Sequence, residues 1–463
     1  MKRLVSILLF SALILNASNV NNSTSLTLDE ALKILKTNNL EIKTASFDVQ
    51  AAKEQTNTVS GSHWGKLDFM QDYANSNDAG NVFGFKLTSR EASFGDFGFD
   101  EFLSQMGSIG TPAGQQALLA TQPDKLNYPD ARNFFQSKLK YEIPLFTGFQ
   151  ISSYVDIMKS MTKMKKLEKS QVINEKIYQI RKSFYDMALL RNSTNNLNKI
   201  LTNIDTLENM TEKMIEVGYA KKVDLLEVQA KKGNVKRLLL QMDSNQKLLY
   251  HYISFLLNEK VTNISTPDTD VQMPSLSDKE VLSKNLDIKR AITGLEVRKS
   301  MVDVSKSSYY PMVGAFGELS TADDSFLGDA SDHQAYTVGA RLTWNIFNGG
   351  IDSAKVEKSR IEQMKTKTQV LLAKKGIALK VSKIRTEINT YDSQISSLEK
   401  ELKLADAIYK NYEGRYREKL SSMSDVIIKQ SEQIQKILEL QMAQNKRNER
   451  IFALEKLANG ENK

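Results

Sequence analysis

Apolar residues recur in steps of three and four over long stretches of this chain. From Ile173 the stripe runs through Ile177, Ile180, Phe184, Met187 and Leu190, then Leu197, Leu201, Ile204, Leu207, Met210, Met214 and Val217. That spacing draws one apolar seam along a helix, in the manner of a coiled coil. The pattern predicts helices over 28–63, 148–217, 221–258, 277–309, 349–416 and 421–459. Thr27, ahead of Leu28-Asp29-Glu30, is suited to cap the first of them, with acids in its first turn. A single helix over 148–217 would be about 105 Å long at the standard rise per residue. In each half of the chain the two shorter helices together match the long one and could stack end to end along it. A set of ordinary amphipathic helices, with breaks the pattern does not reveal, is the alternative.

Four segments follow a period of two instead. Phe135, Ser137, Leu139, Tyr141 and Ile143 alternate with Gln136, Lys138, Lys140 and Glu142. Val338, Ala340, Leu342, Trp344 and Ile346 alternate with Thr337, Gly339, Arg341, Thr343 and Asn345. Leu67, Phe69 and Tyr73, and separately Val313, Ala315 and Leu319, give weaker partners. Strict alternation makes a strand with one apolar and one polar face, and about ten residues is the length of a membrane-spanning strand. Aromatic residues cluster at the strand ends (Trp64, Tyr309, Tyr310, Trp344, Phe347), as in a membrane-interface girdle. A soluble antiparallel sheet packed on helices accounts for the alternation as well.

The chain also repeats itself. Leu40-Glu41-Ile42-Lys43-Thr44-Ala45 is echoed 246 residues later by Leu286-Asp287-Ile288-Lys289-Arg290-Ala291. Pro144-Leu145-Phe146-Thr147-Gly148 is echoed 201 residues later by Asn345-Ile346-Phe347-Asn348-Gly349, and Val223-Asp224-Leu225-Leu226 by Ser424-Asp425-Val426-Ile427 at the same offset. The two offsets imply a duplicated half-molecule, 19–265 and 266–463, whose first copy carries extra residues near 77–131. That insertion joins the first two strands, has a net charge of −4, and holds Phe83-Gly84-Phe85 and Phe94-Gly95-Asp96-Phe97-Gly98-Phe99. An ordered cap and a floppy loop both fit this composition.

Composition narrows the class. The chain has 463 residues, 7 prolines and no cysteine. The prolines (Pro112, Pro123, Pro129, Pro144, Pro267, Pro274, Pro311) leave 145–266 and 312–463 free for uninterrupted helix. Without cysteine there is no disulfide framework, thiolate metal site, cysteine nucleophile or lipoprotein anchor. His63, His251 and His333 lie far apart in sequence, so no histidine-rich metal site, and no cofactor, is expected. The net charge of +8 comes from Lys and Glu mixed along solvated helix faces, and no nucleic-acid motif accompanies it. No GxSxG elbow, P-loop or HExxH suggests an enzyme, and no catalytic residue is assigned. Met1-Lys2-Arg3, the apolar stretch Leu4–Leu15 and the small residues Asn16-Ala17-Ser18-Asn19 have the layout of a secretory signal peptide, taken as 1–18; a buried N-terminal helix is the alternative.

Four strands cannot close a barrel, and an open sheet in lipid leaves unpaired backbone groups. Two chains would supply eight strands and three would supply twelve. At this point the residues resemble a known family. Leu28-Asp29-Glu30-Ala31-Leu32, Pro144-Leu145-Phe146-Thr147-Gly148, Tyr310-Pro311-Met312-Val313-Gly314-Ala315 and Leu342-Thr343-Trp344-Asn345-Ile346-Phe347-Asn348-Gly349-Gly350 look like the TolC family of outer membrane efflux proteins. The resemblance covers nearly the whole mature chain. It implies a mainly α fold with membrane β: an α-barrel of long coiled-coil helices, and four strands per chain in a homotrimeric, 12-stranded outer membrane barrel. It further implies a Gram-negative outer membrane location, contact with outer membrane lipid, a periplasmic adaptor (membrane fusion) protein and an inner-membrane RND or ABC transporter. Drug efflux and type I protein secretion share this architecture. An exported structural or adhesive coiled-coil protein is the reading from another class.

Particular residues follow. Pro144, Gly148, Gly349 and Gly350 are expected at the strand-to-helix turns, where glycine permits the backbone path. Trp64, Tyr310, Trp344 and Phe347 are the interface aromatics. The turns around Gly218 and Asp224, and around Tyr416 and Asp425, look like the family's periplasmic tips, where the resemblance makes Asp425 a gate aspartate and Asp224 a polar tip contact. The family's second gate aspartate would fall at Ile428, and Lys419 stands where glycine is usual. Both aspartates are equally suited simply to start their helices as first-turn acids.

Overall fold

The computed structural model describes residues 25–268, 271–326, 328 and 331–459, so the expected signal peptide over 1–18 lies outside the described residues. Twelve α-helices and four strands are assigned among them. The helices are α1 (Leu28–Asn38), α2 (Leu40–Gly61), α3 (Ala79–Thr88), α4 (Phe99–Ser104), α5 (Pro112–Leu119), α6 (Asp124–Asn127), α7 (Gln150–Glu216), α8 (Lys222–Leu257), α9 (Asp278–Lys284), α10 (Leu286–Lys306), α11 (Ile351–Arg417) and α12 (Met423–Leu457). The strands are β1 (Lys66–Ser76), β2 (Arg132–Thr147), β3 (Met312–Asp323) and β4 (Gln334–Thr343). The chain divides into two compact units, each drawing on both sequence repeats: one of residues up to Ala45, Ser170–Asn285 and from Ile377, the other of Ser46–Lys169 and Leu286–Gly376.

The first unit is built from helices, with one isolated parallel bridge between Leu26 and Ile264. The stripe read from the sequence is its core: Leu197, Ile200, Ile204 and Leu207 of α7 bury against Val228 and Val235 of α8, Tyr409 and Tyr416 of α11, and Val426, Ile434 and Ile437 of α12. A second cluster joins Ala31 and Leu35 of α1 to Ile180, Phe184 and Met187 of α7 and Ile253, Leu256 and Leu257 of α8. A third joins Val281 of α9 to Val381, Ile384 and Ile388 of α11 and Ile451, Phe452 and Leu454 of α12. Each fully buried aliphatic side chain contributes about 1.5–3 kcal/mol, so these seams outweigh the weak intrinsic propensity of the long helices. Helices α7 and α11 have 67 residues each, about 100 Å of helix at the standard rise.

Two expected helices are broken. The segment 28–63 divides at Asn39 and 277–309 at Asn285, where the backbone turns extended (ψ 126° and 127°). Asn39 turns its carboxamide inward: Oδ1 accepts from the Ile42 N–H at 3.0 Å and Nδ2 donates to the Leu256 carbonyl at 2.7 Å. Asn285 Nδ2 donates to the Leu457 carbonyl at 3.0 Å. Capping boxes start the helices ahead of both breaks, Thr27 with Glu30 and Ser277 with Glu280.

The second unit holds one antiparallel sheet in the order β1-β2-β3-β4. Its register aligns the apolar positions across all four strands. Leu67 pairs with Tyr141, Phe69 with Leu139 and Tyr73 with Phe135. Leu139 pairs in turn with Leu319, and Leu319 with Tyr336. Trp344 and Ile346, expected in the last strand, lie beyond its end at Thr343. The 77–131 insertion is not a loop without secondary structure. It folds into α3–α6 and short 3-10 turns, with Phe85 stacked on Phe134 of β2 at 4.2 Å.

Candidate functional site

The sheet turns a continuous apolar face outward. Leu67, Phe69, Tyr73, Leu139, Tyr141, Leu319, Tyr336, Val338 and Leu342 are all exposed, Tyr336 and Val338 each at 78 %. They share one face because side chains alternate along a strand and the register pairs like with like. An exposed apolar band of this extent marks a membrane or protein contact. Trp64, Tyr310, Trp344 and Phe347 are exposed at one end of the strands. Trp344 Nε1 donates to the Tyr309 carbonyl at 3.2 Å, and the Tyr141 hydroxyl to the Trp64 carbonyl at 2.7 Å. Among the described residues no helix is long and apolar enough to cross a membrane.

The strand-to-helix turns obey one backbone rule in both repeats. Gly148 and Phe149 are left-handed (φ 60° and 67°), and so are their counterparts 201 residues on, Gly349 and Gly350 (φ 65° and 86°). Phe149 adopts this strained conformation with its ring packed edge-on against Phe146 and Tyr310, at 5.3 and 5.7 Å. Gly148 is required twice over: a Cβ there would lie 2.6 Å from the Ser307 carbonyl oxygen and 2.9 Å from Tyr310 Cβ. Pro144 sits at a register shift in β2 against β3, where the ladder is already interrupted.

The two helix-to-helix turns follow a second rule. After α7, Gly218 is left-handed (φ 77°); after α11, Lys419 is left-handed (φ 63°). In both, the third residue past the helix end donates back across it: Tyr219 N–H to the Met214 carbonyl and Leu420 N–H to the Arg415 carbonyl, each 2.7 Å. Lys419 therefore makes the turn that glycine makes in the first repeat. Its ammonium sits 3.1 Å from the centre of the Tyr219 ring, a cation–π contact between the two turns.

Asp224 and Asp425 occupy the same place in their helices. The Asp224 carboxylate accepts from the Lys221 N–H at 2.8 Å. The Asp425 carboxylate accepts from the Ser422 N–H and hydroxyl at 3.1 and 2.7 Å. The Ser422 bonds hold the Asp425 carboxyl below the usual carboxylate range. Tyr416, beside the second turn, faces inward. It is buried in the first helical core with its hydroxyl 3.5 Å from Thr211 Oγ1, and burial raises its pKa. Ile428 is half exposed.

Sequence reasoning missed several contacts. Ser424 donates to both oxygens of Glu227 (2.9 and 2.7 Å), tying α12 to α8 beside the turns. Further along, Gln430 is fully buried, and neither end of its amide meets a hydrogen-bond partner among the described residues. The Tyr409 hydroxyl is also buried without one. The only sequence signal is glutamine at an apolar-seam position. In the other unit, Glu91, Asp323 and His333 converge from three places far apart in sequence.

The comparisons accord with this geometry. The family model described as outer membrane efflux protein matches residues 279–460. No curated protein matches the chain. Among solved structures, the chain is similar to the channel CusC, at TM-score 0.75 and 14% identity over 93% of this chain and 91% of that one. It is similar to the outer-membrane protein VceC of Vibrio cholerae, at TM-score 0.73 and 14% identity over 93% and 96%. It is also similar to the CmeC outer membrane channel of Campylobacter jejuni, at TM-score 0.70 and 13% identity over 94% and 85%. The fold of this chain is that of TolC-like outer membrane channels.

Proposed function

We propose that this chain, with its channel fold and the efflux-protein match of its second repeat, is one protomer of a homotrimeric outer membrane efflux duct. The outward apolar sheet face carries the reading. Four strands with free edges at β1 and β4 need strands from further copies, and three copies make a closed barrel of twelve. The apolar face then meets outer membrane lipid, the long helices extend into the periplasm, and the 77–131 insertion lies at the outer mouth. The helix-to-helix turns at Gly218 and Lys419 are the periplasmic end, where an adaptor protein docks and an inner-membrane RND or ABC transporter delivers substrate.

The duct is passive: it supplies a path, and the pump supplies the energy. Asp224 and Asp425 form acidic rings at the periplasmic entrance, beside their capping role. A ring of like charges focuses cations and repels itself, so small packing changes shift it between closed and open. The test is to reverse the sheet face. Val338→Asp with Leu342→Asp places charge where lipid is expected, at about 2–4 kcal/mol or less per residue depending on depth. The expected result is loss of heat-modifiable trimers from the outer membrane. Retention of a wild-type trimer would contradict the membrane assignment of that face.

A further inference from the structure

Glu91, Asp323 and His333 each bring one potential ligand atom to a common point, all within 4.8 Å of one another. The local folds that deliver them are separate. Glu91 follows α3 directly: Arg90 is left-handed (φ 58°), and the Glu91 N–H closes back onto the Lys86 carbonyl at 2.9 Å, fixing the exit of the chain. Asp323 ends β3, opposite Phe135 of β2, and is buried. Its Oδ1 accepts from the Asp324 N–H at 2.6 Å, which fixes the orientation of the carboxylate. His333 immediately precedes β4.

Two independent observations point to a ligand. Nδ1 of His333 is fully buried and meets no hydrogen-bond partner among the described residues. A buried ring nitrogen left this way costs free energy that a ligand reached by that nitrogen would recover. The second is charge. Arg132, the first residue of β2, pairs with Glu91 and reaches Asp324 at 3.9 Å. Arg132 is shared by two carboxylates, Glu91 and Asp324, and Asp323 adds a third carboxylate beside Glu91, so these four groups carry a surplus of two negative charges. A divalent cation matches that surplus.

We propose that these three residues form a binding site for a divalent cation of the zinc class, which staples the insertion to the ends of β3 and β4. One imidazole with two carboxylates suits a borderline cation such as zinc, and is unlike the all-oxygen shells that calcium and magnesium take. Around zinc the donors would draw in to about 3.3 Å apart, given bonds of about 2.0–2.2 Å, with water completing the shell. Glu91 is exposed and free to make most of that movement, exchanging part of its contact with Arg132. Cation binding does not depend on the duct reading; only its placement at the outer mouth does.

The test uses the full-length protein purified in detergent and stripped with EDTA. Zinc is titrated against a fluorescent chelator, with limited proteolysis of residues 77–131 as the second readout. The expected result is one zinc per chain, at least tenfold weaker binding in His333→Asn and in Asp323→Asn, and no change in His63→Asn. Zinc should slow cleavage of the insertion in wild type and leave it unchanged in His333→Asn. Equal binding in wild type and His333→Asn, or no zinc held against the chelator, would overturn the site. Calcium protecting the insertion as well as zinc would overturn the assignment of cation class.

Discussion

The side-chain amide of Asn39 donates a 2.7 Å hydrogen bond to the carbonyl of Leu256, at the C-terminal end of α8. Its counterpart 246 residues on, Asn285, makes the same bond to Leu457, 201 residues after Leu256 and at the end of α12. The offsets that relate the two repeats in sequence therefore also relate a three-dimensional contact. Each asparagine breaks one helix and satisfies an orphan carbonyl at the end of another.

Removing either amide leaves a buried carbonyl unpaired. Asn39→Ala and Asn285→Ala should each cost about 1–3 kcal/mol. The measurement is the thermal unfolding midpoint of the purified protein. Both variants should melt below wild type, and an unchanged midpoint in either would show that its bond does not support the break.

The left-handed glycines separate by what surrounds them. Gly349→Ala meets nothing within 4 Å, so it should cost only the backbone strain, about 1–2 kcal/mol. Gly148→Ala adds overlap with the Ser307 carbonyl and Tyr310, so assembly into trimers should fall much further. Trimer yield on gels without heating compares them, and equal yields would contradict the packing described at Gly148.

Gln430 is a local cost within the helical core. Gln430→Leu replaces two orphaned amide atoms with an apolar group of similar volume, and should stabilise the first unit by about 1–3 kcal/mol. Thermal unfolding should shift upward. A downward shift would mean that the amide has partners once chains associate.

The two roles of Asp425 can be separated. Ser422→Ala removes the capping hydroxyl and keeps the charge; Asp425→Asn removes the charge and keeps an acceptor for the Ser422 N–H. Because its folded pKa is lowered from 3.8, Asp425 favours the folded helix start above that value, and the benefit is lost as pH falls through the lower folded value. Cation block of conductance should change in Asp425→Asn and persist in Ser422→Ala. The reverse pattern would assign Asp425 to capping alone.

The seam from Ile173 to Val217 was legible because the period of a coiled coil survives over many turns, and 67-residue helices stand where it placed them. The paired strands were legible for the same reason at period two. The breaks at Asn39 and Asn285 were not, since asparagine within a helix costs well under about 1 kcal/mol and only the tertiary bond makes it a corner. Lys419 hid its turn behind a residue that seldom goes left-handed, stabilised here by a ring from the other repeat. The insertion's short helices are too brief to show a period. The meeting of Glu91, Asp323 and His333 depends on the β2–β3 pairing and the path of α3, so no local pattern announces it.

Reconstitution into a planar lipid bilayer tests the duct most directly, using protein extracted from outer membranes. Three associated chains should insert as one unit and give stable stepwise conductance that cations can block. A soluble periplasmic rod, or a monomer that leaves the bilayer silent, would contradict it.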